Sequence, residues 1–125
     1  MSAALLSINP QHVTRILEGS KRFEFRKVRT RRDITKIFIY STMPVGQVVG
    51  EAEVTEIVEG PPAEIWEATR SFAGIDREFF DEYYAGRNRA IAYRLGRVSK
   101  YERPRPLADF GVAAAPQSFV YLSQG

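Results

Sequence analysis

The chain has 125 residues, of which 44% are hydrophobic and 12% aromatic, which suits one ordinary globular core and excludes a disordered chain. It contains no Cys and a single His, which excludes disulfides, Cys-ligated zinc and a Cys-His catalytic pair. No apolar run is long enough to span a membrane, and the first residues do not resemble a signal peptide. The composition therefore predicts a soluble, cytoplasmic protein that does not bind a membrane.

The formal net charge of +3 hides a strong separation of charge. Residues 15–36 carry a local charge of +6, residues 51–82 carry −8, and residues 87–105 carry +6. Most of the basic residues are Arg, which binds phosphate through two parallel hydrogen bonds. If the two basic segments converge, they form an anion-binding face, and the acidic segment is expected to lie away from it. The alternative is that both are solvated loops that keep the protein soluble.

The first half of the chain predicts short strands around one helix. An apolar run predicts a strand over residues 4–8, and Asn9-Pro10 followed by apolar residues at helical spacing predicts a helix that ends at Gly19. Charged and aromatic residues alternate over residues 22–26, which is typical of a half-buried strand. The next seven residues are too polar to be buried and predict a mobile basic loop, which two further strands follow, at 36–41 and 47–58.

The second half predicts two helices and then two strands. One helix is predicted over residues 63–68, and a second begins after Asp76 and carries an aromatic stripe. Strands are predicted over residues 89–95 and 118–122, with an extended basic segment at 101–106 between them. These elements predict a single domain over residues 1–125 with an α+β fold. Its expected form is a small, mostly antiparallel β-barrel with short helices at its ends.

One segment carries a recognisable pattern. Residues 19–26 read Gly-Ser-Lys-Arg-Phe-Glu-Phe-Arg, which contains the spacing Gly-x-Lys-x-x-Glu-x-Arg. This spacing resembles the signature of the ASCH (activating signal cointegrator homology) domains of the PUA-like superfamily. The flanking segments 7–10, 41–51, 84–86 and 116–119 are also similar to that family, so the resemblance covers nearly the whole chain. It implies a PUA-like β-barrel, a cleft lined by the signature residues and a role in RNA metabolism.

The signature side chains have the chemistry to hold a nucleotide. Glu24 and Arg26 lie two apart on a predicted strand and therefore share one face, and Lys21 can reach the same cleft from just past Gly19. A carboxylate accepts hydrogen bonds from the amino group of a base, whereas Lys and Arg donate to phosphate or carbonyl oxygens. The alternative is a salt bridge that only holds the strand in register.

Other residues would extend such a site by contacting phosphates, stacking on a base or lining the cleft. They are Arg29, Arg31, Arg32, Tyr84, Arg87, Arg89, Gln117 and Ser118. For the arginines the alternative is a solvated surface, and for Tyr84 it is a place in the core. His12 is predicted to be a partly exposed polar residue of the first helix.

Two functions from different classes follow. The first is an RNA-binding module that holds an unpaired base in a basic cleft, with DNA as the alternative nucleic acid. The second is a small metal-independent hydrolase that uses Lys21 and Glu24 as its catalytic pair. The resemblance implies two such activities, a ribonuclease and an amidohydrolase for a modified nucleoside, but the Thr nucleophile of the amidohydrolase pattern is replaced here by Glu24. No cofactor and no metal are predicted.

Overall fold

The computed structural model describes residues 2–122. The strands are β1 (Ser2–Ile8), β2 (Phe23–Arg26), β3 (Ile34–Ser41), β4 (Gln47–Gly60), β5 (Ala90–Arg105) and β6 (Phe119–Leu122). The helices are α1 (Pro10–Glu18), α2 (Pro62–Thr69) and α3 (Arg77–Tyr83), with short 3-10 turns at Arg70–Phe72 and Leu107–Phe110. These elements confirm the predicted α+β fold.

All six strands belong to one sheet, in the order β2-β5-β4-β3-β1-β6. Only β1 and β3 are parallel within the part of the chain that the structure describes, and every other neighbouring pair is antiparallel. The sheet is open, because β2 and β6 are edge strands that do not pair with each other. The prediction was therefore wrong in one detail, the closure of the sheet into a barrel. Both edge strands have four residues, and the Arg26 guanidinium of β2 spans the gap by donating to the carbonyl oxygen of Ser7 at 2.8 Å and to Ser118 Oγ at 3.3 Å.

Strand β5 is much longer than the sequence indicates. The prediction ended it at residue 95, whereas it runs over 16 residues and includes the segment with two prolines as far as Arg105. The long strand β4 supplies the partner along this whole length. On its other side β5 pairs with β2 only through residues 91–94, so the later part of β5 has one unpaired edge. An edge position tolerates Pro104, which has no N–H to donate.

The basic loop between β2 and β3 is hydrogen-bonded to two distant tyrosines. The backbone N–H of Thr30 donates to Tyr93 Oη at 2.9 Å, and that of Arg31 donates to Tyr121 Oη at the same distance. Both tyrosines lie far away in the sequence, on β5 and β6. Thr30 is also buried, so the prediction that the whole segment is too polar to be buried was wrong at this residue, because its partners are long-range contacts that local composition does not reveal.

Two buried clusters position the helices on the sheet. In the first, Val13 and Ile16 of α1 pack against alternate residues of β1 and against β3 and β5. In the second, Phe80 of α3 packs with Trp66 of α2 and with the Phe residues of β2. Helices α1 and α3 therefore flank β2. Among residues 2–122 there is no helix long and apolar enough to cross a membrane.

Candidate functional site

The signature begins at the end of α1 and leads straight into β2. Gly19 has φ 90°, a left-handed conformation that glycine adopts without steric cost, and it ends the helix. The backbone N–H of Lys21 then donates to the carbonyl oxygen of Arg15 at 3.1 Å, which folds the chain back against α1. This turn places Lys21 and Glu24 beside the first turn of α1.

A cavity of about 200 Å³ lies between α1, β2 and α3. All three charged residues of the signature line it, as the sequence predicts. Apolar and aromatic side chains from β1, β2, α3 and the segment just before α3 complete the wall. The full lining is Ser7, Ile8, Asn9, His12, Lys21, Glu24, Phe25, Arg26, Ile75, Phe79 and Tyr83.

Lys21 is a buried cation, only 2% exposed. Its Nζ donates to the carbonyl oxygen of Ala73 at 2.8 Å and lies 4.7 Å from the centre of the Phe25 ring. The backbone of Gly74 packs against its stem so closely that a Cβ at Gly74 would lie 2.3 Å from the Cβ of Lys21. Burial lowers the pKa of the Lys21 ammonium to about 8, although the nearby Glu24 carboxylate opposes this shift.

Glu24 is buried beside Lys21 and is held by Arg26. Its Oε2 accepts a hydrogen bond from Arg26 Nε at 3.1 Å, which leaves Oε1 without a hydrogen bond among the described residues. The other guanidinium nitrogens donate to Ser7 and Ser118, as described for the sheet edges. Arg26 therefore uses its donors to fix Glu24 and the strands around the cavity, and Glu24 and Lys21 keep capacity for a ligand.

His12 also lines this cavity. It is partly exposed, as the sequence predicts, but the sequence does not indicate that it belongs to the site. Its ring meets the Phe79 ring edge-on, with centroids 5.3 Å apart. Burial and then the nearby Lys21 ammonium lower the pKa of the imidazole, against an opposing effect of Glu24. The only sequence signal is its position in the first turn of the helix that precedes the signature.

The two adjacent tyrosines of the aromatic stripe have different places. Tyr84 is 3% exposed, and its hydroxyl donates to the carbonyl oxygens of Arg26 and Ile91 at 2.9 and 3.2 Å. It is thus part of the core and does not line the cavity, whereas Tyr83 does. Successive helical residues are rotated by about 100°, and the stripe alone did not show which tyrosine faces the cavity.

None of the predicted arginines outside the signature lines the cavity. Arg29 pairs with Asp33 at 2.6 Å and with Glu59 at 3.4 Å, and Arg89 also pairs with Glu59 at 3.4 Å. The guanidinium of Arg32 lies 4.5 Å from the Tyr121 ring centre. Loop and strand arginines are therefore largely occupied by partners within the protein.

The remaining candidates, Arg87, Gln117 and Ser118, are not part of the cavity lining. The side chain of Arg87 is close enough to the cavity residue Tyr83 to influence the pKa of its hydroxyl. Lys27, which the sequence analysis did not select, lies with Nζ 4.7 Å from the centre of the same ring. Ser118 touches Arg26, whereas Gln117 is exposed and makes no side-chain hydrogen bond within residues 2–122.

The acidic segment does not lie away from the basic ones. Strand β4 carries acidic residues along the side of β5, where Glu56 pairs with Arg94 at 3.8 Å and Glu53 Oε1 accepts from the Arg97 backbone N–H at 3.0 Å. Glu51 of β4 pairs with Lys36 of β3 at 3.1 Å. Antiparallel pairing of an acidic strand with a basic one therefore neutralises much of the expected charge separation.

The geometry also bears on a metal site and on a threonine nucleophile. Over the described residues there is no group of three or more His, Asp or Glu side chains placed to hold a metal ion. Thr30, the nearest threonine after the signature strand, is buried outside the cavity lining, and its hydroxyl donates to the carbonyl oxygen of Arg32 at 2.8 Å. The cavity thus offers a lysine, a carboxylate and an imidazole.

Comparison with known proteins identifies related sequences and structures. Over 93 residues, which cover 74% of this chain and 63% of the relative, it is 30% identical to an ASCH domain-containing ribonuclease of Zymomonas mobilis. It is also 30% identical over 119 residues to a protein named ATP synthase subunit alpha from Ureaplasma parvum serovar 3, of which it spans only 15%. Among solved structures, ASCH from Zymomonas mobilis superposes with a TM-score of 0.88 at 28% identity, covering 98% of this chain and 88% of that one.

The family itself follows from the sequence profile. The model of the ASCH domain matches residues 6–103, which include the whole signature and the whole cavity lining. The chain therefore belongs to the ASCH domain family.

Proposed function

We propose that the chain binds RNA and holds one unpaired base in the cavity between α1, β2 and α3. The observation that carries this proposal is the convergence of Lys21, Glu24 and His12 on one small cavity with aromatic walls. Residues of this kind can hydrogen-bond the edge of a base while the aromatic rings contact its faces. The membership of the ASCH family and the ribonuclease among its relatives support RNA as the ligand class.

The size of the cavity supports a single base. Its volume of about 200 Å³ is below the ~300–1,000 Å³ of typical small-molecule pockets. A planar base would occupy it, and the ribose and phosphate would remain at the mouth. Duplex RNA keeps its bases stacked and paired, so this mode of binding requires a single-stranded or looped region.

The mouth of the cavity supplies cations for the phosphates. Lys27 Nζ lies 4.7 Å from the centre of the Tyr83 ring, Arg87 is exposed in the segment that follows α3, and neither forms an ion pair within residues 2–122. Cations without acidic partners remain available to phosphate oxygens. We therefore expect the nucleotide backbone to pass between these two side chains and to make binding dependent on salt.

Cleavage of the bound RNA is the second candidate, and the state of Lys21 favours it. A lysine whose pKa is lowered to about 8 is protonated at neutral pH and releases its proton readily. This candidate excludes a base in the cavity, because the scissile phosphodiester itself would have to enter it to reach Lys21 and Glu24. In this scheme the ribose 2′-oxygen attacks phosphorus and gives its proton to Glu24. The 5′-oxygen leaves with a proton from Lys21, and the products are a 2′,3′-cyclic phosphate and a 5′-hydroxyl.

One assay tests the proposal and separates the two candidates. A labelled single-stranded RNA is incubated with the wild type, with Lys21→Met and with Lys36→Met, in buffer containing a chelator. Lys36 is the matched control because its ammonium pairs with Glu51 on the sheet surface. Retention that is lost only in Lys21→Met supports base binding, and cyclic phosphate formed by the wild type supports cleavage. Wild-type protein that neither retains nor cleaves RNA at low salt would contradict both.

A further inference from the structure

A wide groove of about 790 Å³ begins one residue along the chain from the cavity. It lies where the end of α2 and the 3-10 turn after it meet β2, β5 and β4, and its lining comes from residues 22–23, 55–56, 68–69, 71–72 and 94–96. Within residues 2–122 no residue lines both sites. Lys21 lines the cavity and the next residue, Arg22, lines the groove, so the two sites are neighbours in the structure.

One short segment, residues 72–73, contacts both sites. The carbonyl oxygen of Phe72 accepts from the backbone N–H of Arg22 at 2.8 Å, and that of Ala73 accepts from Lys21 Nζ at 2.8 Å. Because consecutive carbonyl groups hold consecutive residues of the signature, the cavity and the groove keep a fixed arrangement.

Phe72 places an aromatic ring in the groove, in contact with solvent. It is 48% exposed, and among residues 2–122 the only other exposed phenylalanine is Phe79, which lines the cavity. Burial of such a ring would add to the stability of the fold, so its exposure needs a different explanation. An exposed aromatic ring is a stacking surface for single-stranded nucleic acid, because every base has a flat face of its own.

Arg22 adds a free positive charge beside this ring. Its guanidinium carbon lies 5.0 Å from the centre of the Phe72 ring, and it forms no ion pair within the described part of the chain. Arg105 provides a contrast, because it lies 4.6 Å from the centre of the Phe110 ring but pairs with Asp109 at 3.2 Å. Arg22 therefore keeps its charge available to an anion.

The other charged residues of the groove leave it with a net positive charge. Arg94 and Glu56 both line it and pair with each other at 3.8 Å, with about 60% of each side chain exposed. An exposed ion pair of this kind is weak, so Arg94 can turn to a second acceptor. Two guanidinium groups against one carboxylate complement the phosphates of a nucleic acid.

We propose that this groove holds a second nucleotide of the same RNA strand, with its base stacked on Phe72 and its phosphate bound by Arg22. This inference rests on the proposed binding of single-stranded RNA. Stacking and phosphate contacts carry little sequence information, so the groove adds affinity and leaves base selection to the cavity.

The test measures binding of an unstructured, fluorescently labelled ten-nucleotide RNA by anisotropy. Phe72→Leu removes the ring and keeps an apolar side chain, and we expect the dissociation constant to rise about tenfold, within the range for one lost stacked base. Phe72→Tyr keeps the ring and should bind as the wild type does. Thermal melting reports whether both variants fold. An unchanged dissociation constant in folded Phe72→Leu would overturn the inference and leave the proposed function standing.

The phosphate contact has its own control. Arg22→Gln should reduce the salt slope of binding by about 0.7, the value for one phosphate contact to a single strand. Arg105→Gln should leave the slope unchanged, and so should Phe72→Leu, because a stacked ring binds no phosphate. Equal slopes for the wild type and Arg22→Gln would overturn the phosphate contact.

Failure of the inference and failure of the proposed function give different results. Wild-type protein that does not bind the RNA at low salt would overturn both. Loss of affinity in Phe72→Leu, with full affinity in Lys21→Met, would support the groove and contradict the base in the cavity.

Discussion

The signature strand and the β4–β5 pair both carry many charges, but they hold them differently. On β4 and β5 the carboxylates and guanidinium groups are exposed and pair with one another, as Glu56 does with Arg94 at 3.8 Å. At the start of β2, Lys21 and Glu24 are buried and face a cavity. Glu56 and Arg94 neutralise each other in solvent. Lys21 and Glu24 instead keep hydrogen-bonding capacity, and the pKa of Lys21 is lowered. Burial therefore distinguishes the candidate site more clearly than the number of charges does.

The largest expected effect is on the free energy of unfolding, when one carboxylate is removed from β2 and, for comparison, one from β4. Glu24→Gln removes the carboxylate from beside Lys21 and Arg26, and loss of one partner of a buried ion pair typically costs ~3–5 kcal/mol. Glu56→Gln removes an exposed partner and should cost only ~0–1 kcal/mol. Urea denaturation at pH 7 measures both free energies of unfolding. Equal losses would show that the two regions do not differ as described.

Gly74→Ala should be nearly as damaging, because it acts on Lys21 through packing. Gly74 has φ +69°, and its added Cβ would lie 2.3 Å from the Cβ of Lys21. Left-handed backbone costs ~1–2 kcal/mol in other residues, and overpacking adds ~1–3 kcal/mol. Gly111→Ala is the matched control, since Gly111 has φ +73° with no atom within 4 Å of the added Cβ. Thermal melting should show a clearly larger loss for Gly74→Ala, and similar losses would contradict the close packing.

The buried lysine should also give stability a particular pH dependence. Because the pKa of Lys21 is about 8 in the folded chain and 10.5 when unfolded, the unfolded chain binds more protons between these values. The free energy of unfolding therefore gains about 2 kcal/mol from Lys21 as the pH rises from 8 to 10. The raised pKa values of Tyr83, Tyr84 and Tyr101 oppose this trend from about pH 9 upwards, where unfolded tyrosine begins to ionise.

The difference between the wild type and Lys21→Met isolates this contribution. Both proteins are unfolded with urea at several pH values from 7 to 10, and the gain from pH 8 to 10 should be absent in the variant. Parallel curves would show that Lys21 is not a buried cation.

The smallest expected effect is on RNA affinity, when an arginine near the cavity is replaced and, for comparison, one far from it. Under the proposed function, Arg87→Ala should weaken single-stranded RNA binding a few-fold and reduce the salt slope by about 0.7, the value for one phosphate contact. Arg103→Ala, near the far end of β5, should leave both unchanged. Affinity measured against salt concentration checks this, and a larger loss for Arg103→Ala would move the phosphate path to the β4–β5 pair.

Local patterns predicted most elements and the centre of the site. Asn9-Pro10 and Gly19 gave the correct limits of α1, and the alternation around Phe23 and Phe25 located β2. The limits of these elements depend on neighbours in the sequence, which is why a single sequence revealed them. That Lys21 and Glu24 line a cavity was implied instead by the resemblance of their spacing to the ASCH signature.

The features that the sequence did not reveal depend on distant contacts. The loop after β2 is held by Tyr93 and Tyr121, and the length of β5 is set by its pairing with β4. His12 enters the site only because α3 packs beside α1 and closes the cavity over it. Such contacts form between segments that no local pattern connects.

The most direct test of the central claim is to map the RNA contact by NMR. Backbone amide shifts of the ¹⁵N-labelled chain are followed during titration with a short single-stranded RNA, in the wild type and in Lys21→Met. If a base binds in the cavity, the largest shifts occur around His12, at residues 21–26 and at residues 73–75, and they disappear in the variant. Shifts confined to the β4–β5 pair, and unchanged in Lys21→Met, would contradict it.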